Sequence, residues 1–132
     1  MKIFTISLLA LSAILTACNT VNTIEKSKDG TYKSIVHNPF LDSYAQVSEI
    51  TTLRTESGLF KAQAKITNTS TGYKTINYRF CWLDKNKMVV DDTSSPWQTV
   101  ALEGKETKYI YAVSSNPNVC DFSLKLLNDV RD

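Results

Sequence analysis

Apolar and polar residues alternate along most of this chain, and a period of two is the mark of β-strands. Phe60, Ala62, Ala64 and Ile66 form one set, with Lys61, Gln63, Lys65 and Thr67 between them, which predicts a half-buried strand. A second run sets Ile76, Tyr78, Phe80 and Trp82 against Asn77, Arg79 and Cys81. Further strands are expected over 45–54, 88–90, 97–102, 107–113 and 119–127. They are separated by the turn clusters Glu56-Ser57-Gly58, Asn68 to Gly72, Asp84 to Lys87, Ser94-Ser95-Pro96, Glu103-Gly104-Lys105 and Ser115 to Asn118. About seven short strands without a convincing helix predict an all-β fold, an immunoglobulin-like antiparallel β-sandwich, with a small closed barrel as the alternative. The Tyr78-Phe80-Trp82 face is the densest aromatic patch and the expected centre of the core.

The alternation fails at the amino end. Residues 19 to about 33 are polar and aperiodic, and read as a flexible tether that reaches about 20 Å on average. Before it, Met1-Lys2 is followed by the mostly apolar Ile3 to Leu15, too short for a membrane span of roughly 20 residues. A basic start, a short apolar core and small residues at the end make a secretory signal peptide. Leu15-Thr16-Ala17-Cys18 is similar to the cleavage signal of bacterial lipoproteins at every position. That resemblance implies acylation of Cys18, removal of the preceding peptide and attachment to the lipid bilayer by two or three acyl chains. Asn19 is not the Asp that retains such proteins in the inner membrane, so the periplasmic leaflet of the outer membrane is expected. The expected organisation is a signal peptide over 1–17, a lipidated tether over 18–40 and a sandwich over 41–132.

Removing the signal leaves 115 of the 132 residues, enough for one domain. Those residues carry 14 basic and 13 acidic side chains, well mixed, which argues against nucleic acid as a partner. Cys81 and Cys120 remain beside Cys18, and an oxidising compartment favours a disulfide between them. Strand parity opposes it. Cys120 shares parity with Phe122 and Leu124, whereas Cys81 takes the face opposite Phe80 and Trp82.

Tyr78-Arg79-Phe80-Cys81-Trp82-Leu83-Asp84 resembles the YcfL-like family of Gram-negative periplasmic lipoproteins. Ser95-Pro96-Trp97, the Gly104 turn and Ser115-Asn116-Pro117 before Asp121-Phe122 follow in the same order, over roughly residues 45 to 127. The family's hairpin usually carries Gly three residues after the Asp, where this chain has Lys87, so Asn86 is expected to take the left-handed conformation instead. The resemblance implies a fold and a location, and no activity.

Candidate chemistry is sparse. His37, the single histidine, has no nucleophile motif near it and reads as a surface residue. Neither a metal site nor a cofactor is expected, because ligand types are too few and no glycine-rich phosphate loop exists. Asp91-Asp92 reads as a solvated turn, since neighbouring strand carboxylates point apart. Three residues are candidates for a partner surface. Arg79 either presents its guanidinium to a ligand or pairs with an acid across the sheet. Trp97 is an exposed anchor or a rim residue. Tyr109 shares a face with Tyr111, opposite Ile110, so one of these sets faces solvent. The expected function is a non-catalytic interaction module that docks an envelope protein or peptidoglycan. The alternative is a small-ligand carrier or a hydrolase, which would need a pocket or a nucleophile–base pair.

Overall fold

At the centre of the core, the large inward side chains of one sheet meet alanines of the other, and this complementarity lets the sheets close. The structure, a computed structural model, describes residues 21–90 and 95–129. The signal segment, Cys18 and Asp91-Asp92 lie outside the described residues. Strands β1 (Asn22–Lys26), β2 (Tyr32–Ile35), β5 (Lys74–Leu83), β6 (Gln98–Leu102) and β8 (Asp121–Asn128) form one sheet, in the order β2-β1-β8-β5-β6. Strands β3 (Ala45–Arg54), β4 (Phe60–Asn68) and β7 (Thr107–Val113) form the other, in the order β3-β4-β7. Every pairing is antiparallel, and no ladder joins β2 to β3 or β6 to β7. The fold is therefore the expected sandwich and not a closed barrel. From the five-stranded sheet, Phe80, Trp82, Phe122 and Leu124 point inward, opposite Ala62, Ala64 and Ala112 of the three-stranded sheet. The Trp82 ring stacks on Phe80 at 5.9 Å and meets Phe60 edge-on at 6.1 Å. Its Nε1–H is buried without a hydrogen-bond partner.

The expected tether is corrected. Residues 22–26 and 32–35 are strands, and β1 lies inside the five-stranded sheet, between β2 and β8. Too few side chains are apolar here for the pattern to show, yet β1 is held by two ladders and two buried side chains, only one of them apolar, Asn22 and Ile24. The connecting turn is built by Asp29. Its carboxylate accepts from Ser27 Oγ (2.5 Å), Thr31 Oγ1 (2.7 Å) and Thr31 N (3.0 Å), and Gly30 takes φ 89°. Those bonds, the Ser27 hydroxyl first, lower the Asp29 pKa from 3.8 to about 2. Between β2 and β3, Pro39–Asp42 forms a single turn of helix, α1. Asn38 caps it by accepting from Leu41 N at 3.1 Å, and Pro39 takes the first position, where no N–H is needed.

Two smaller expectations also change. The apolar run 88–90 is no strand but a single bridge, Leu83 to Val89, with Met88 and Val89 exposed. In the preceding hairpin Lys87, not Asn86, is left-handed, at φ 61°. The Asp84 carboxylate accepts from Asn86 N (2.8 Å) and Met88 N (3.0 Å) and leaves the left-handed corner to the residue between them. A side chain with a Cβ pays about 1 kcal/mol for that conformation. Lys87→Gly should therefore stabilise the fold by about 0.5 to 1 kcal/mol in urea melts. A loss of stability would show that the Lys87–Asp121 ion pair at 3.6 Å outweighs the backbone strain.

Candidate interaction surface

The outer face of the three-stranded sheet owes its character to the alternation that builds the core. Phe60, Ala62, Ala64 and Ile66 of β4 turn inward, so Lys61, Gln63, Lys65 and Thr67 turn out. On β7, Ile110 and Ala112 are buried, and Tyr109 and Tyr111 project outward with 56% and 57% exposure. Register places Lys65 opposite Tyr109 and Gln63 opposite Tyr111, so each tyrosine stands beside a polar side chain. The two rings stand about 7 Å apart along the strand. Lys61 Nζ lies 4.7 Å from the Tyr111 ring centre, a cation–π contact that steadies the ring.

A β-bulge completes this face. Between Ser48 and Thr51 the ladder gains one residue, and Glu49 takes φ 51°. The kink sets Glu49 Oε2 2.9 Å from Lys65 Nζ, and this bond and the Glu49 charge raise the Lys65 pKa. The extra residue also reverses parity, so Leu53 pairs with Lys61 on the outside and is 50% exposed. Leu53, Tyr109 and Tyr111 thus give an apolar and aromatic surface set among Lys61, Gln63 and Lys65. Aromatic rings flanked by hydrogen-bonding groups are suited to gripping a flat polar ligand or a protein side chain. Neither the bulge nor Leu53's direction is readable from the alternation, since a strict period through 45–54 hides the reversal.

The structure separates the three candidate residues. Tyr109 is on the three-stranded sheet, whereas Arg79 is on the five-stranded one and Trp97 just precedes its edge strand β6, so they do not form one surface. The cross-strand neighbour of Arg79 is Lys125 rather than an acid. Among the described residues, the Arg79 contact is a bond from Nε to the Ser95 carbonyl at 3.0 Å, and Lys125 leans away to Thr23 Oγ1 at 3.4 Å. Trp97, just before β6, is 42% exposed at the sheet's edge. His37 is exposed, and its backbone N–H donates to Asn22 Oδ1 at 2.9 Å.

Cys81 and Cys120 are both free thiols. Cys81 pairs with Ser123, three residues along β8 from Cys120, and Cys120 N donates to the Leu83 carbonyl at 3.0 Å. That offset separates the two Cα atoms by roughly 11 Å, too far for a disulfide. Among the described residues no group of three or more His, Cys, Asp or Glu is placed to hold a metal ion. A cleft of about 450 Å³ opens between the free edges of β2 and β3, over Ile24, Val47 and Leu126.

A family model described as protein of unknown function, DUF1425, matches residues 32–128. Among solved structures, a DUF1425 family member from Shewanella sp. pv-4 is similar with a TM-score of 0.60 at 22% identity, covering 83% of this chain and 92% of that chain. Campylobacter jejuni cj0090 is similar with a TM-score of 0.51 at 20% identity, covering 63% and 85%. At these identities the likeness concerns the fold. Curated proteins give no match.

Proposed function

Because the chain belongs to the DUF1425 family, whose function is unknown, we propose a role from its own residues: a lipid-anchored, non-catalytic interaction module of the cell envelope. The surface of Leu53, Tyr109 and Tyr111 carries this reading. A small sandwich has no packing need for two tyrosines more than half exposed on the sheet face that also exposes Leu53, and such surfaces mark recognition. Its partner is an envelope protein or peptidoglycan, both within reach of a domain held at the periplasmic leaflet of the outer membrane. The resemblance of Leu15-Thr16-Ala17-Cys18 to a lipoprotein signal supports the anchoring, and the Tyr78 to Asp84 segment supports a YcfL-like lipoprotein. The cleft beside β2 and β3 favours a second reading, a small-ligand carrier.

A photocrosslinking amino acid at Tyr109 in living cells tests the first reading. An adduct should form with a defined protein or with muropeptide-bearing material, and weaken when Tyr111 is replaced by Ser. Cys18→Ser should abolish the adduct by releasing the protein from the membrane fraction. Adducts from Trp97 but none from Tyr109 would move the binding surface to the other sheet and overturn the assignment.

A further inference from the structure

We infer that one end of the sandwich rests directly on the bilayer surface through Val36, Phe40 and Tyr73, a docking that builds on the lipid anchoring of Cys18. The β1 ladder begins at Asn22, four residues beyond Cys18. Four residues span at most roughly 14 Å, and the polar headgroup layer itself occupies about 5 to 7 Å. The end of the domain that holds Asn22 therefore has little clearance.

Asn22 is firmly joined to that end. It is buried, its Nδ2 donates to the Asn38 carbonyl at 3.0 Å, and its Oδ1 accepts from Asn38 N at 2.7 Å and His37 N at 2.9 Å. Asn38 in turn donates from Nδ2 to Asn128 Oδ1 at 2.8 Å. The loop and helix turn over 36–42 cannot swing aside while the anchor holds.

The side chains this end presents are apolar where a freely solvated loop would be polar. Phe40 is 54% exposed, Tyr73 55% and Val36 41%. Phe40 is propped edge-on against the buried Tyr44 at 5.5 Å. Lys74 Nζ sits 4.9 Å from the Tyr44 ring centre and 5.6 Å from that of Phe40, which places an ammonium at the rim of the patch. An exposed Phe with a lysine beside its ring, and an exposed Tyr next to that lysine in sequence, suit the headgroup–acyl boundary, where rings sink and the cation meets phosphate. At this end Asp42, Glu103 and Glu106 outnumber Lys74 and Lys105, so apolar insertion rather than charge drives the contact. Vesicles of zwitterionic lipid suffice as the target.

Brominated lipids test the docking. Acylated full-length protein carrying Phe40→Trp is reconstituted in phosphatidylcholine vesicles with bromines on the upper acyl chain. Met88→Trp, at the opposite end and roughly 30 Å away along β5, is the comparison. After the Trp82 and Trp97 signal of the wild type is subtracted, a ring about 5 to 10 Å below the headgroup boundary should lose about half or more of its fluorescence, while the ring added by Met88→Trp keeps its own. Unchanged fluorescence of Phe40→Trp in protein that carries acyl mass and floats with the vesicles would overturn the docking alone. Equal quenching at both positions would also overturn it, because the domain would then lie on its side. Protein without acyl mass that fails to float would overturn the anchoring, and the docking with it.

Discussion

Asn68→Asp should destabilise the fold by about 3 to 5 kcal/mol at neutral pH, the range for a buried charge left without a partner. Asn68 is fully buried at the end of β4. Its Nδ2 faces the carbonyls of Gly72 (2.8 Å), Glu103 (3.1 Å) and Leu102 (3.3 Å), and its Oδ1 accepts from Ser70 N (3.0 Å) and Ser70 Oγ (2.7 Å). One amide thus ties the β4–β5 loop to the β6–β7 loop. The same shape with a second oxygen would aim a negative charge at three carbonyl oxygens. In the fold, the introduced carboxyl would hold its proton above the ordinary aspartate range. The unfolded chain loses that proton first as pH rises, so the penalty grows from about pH 4 up to the raised value and is constant above it. Urea melts at pH 3.5 and pH 7 measure this. Equal penalties at both, or a loss under about 1 kcal/mol, would show that the loops can open to solvate the charge.

Trp82→Ala should cost about 3 to 5 kcal/mol, because the indole fills the space between Phe60 and Phe80 and neither sheet can close over the gap. Trp82→Phe separates size from polarity. It removes a buried N–H that has no partner, so its cost should stay under about 1.5 kcal/mol despite the lost volume. Denaturant melts of both variants check this. A Trp82→Ala loss under about 1 kcal/mol would mean that the aromatic stack is not the centre of the core.

How legible these features are in the sequence depends on whether side chains or backbone produce them. The strands β4 and β5 are plain, because burial of one face demands alternation and Phe60 to Ile66 and Ile76 to Trp82 supply it. The outward Tyr109 and Tyr111 follow from the same rule once Ile110 is placed inside. Strands β1 and β2 are hidden because backbone ladders hold them. The one local sign of their hairpin is Asp29-Gly30, a turn pair between two weakly patterned runs. Asn68 reads as the first residue of a polar turn, and its role emerges only when Gly72, Leu102 and Glu103 converge on it from separate loops. The separation of Arg79 from Tyr109 is likewise a matter of which strand joins which sheet, and no single strand's pattern carries that.

The position of β1 bears on how the protein withstands force. Under the proposed anchoring at Cys18, a pull between the membrane and a partner would enter the described fold at Asn22, the first residue of β1. That strand is flanked on both sides, with register pairs to β2 and to β8. A strand at a sheet edge, drawn sideways, would unzip one bond at a time, whereas β1 must shear two ladders together. One of the two resisting strands is β8, so the first and last strands of the described residues clasp each other under tension. Resistance to such a pull is thus concentrated in the strand next to the proposed point of attachment.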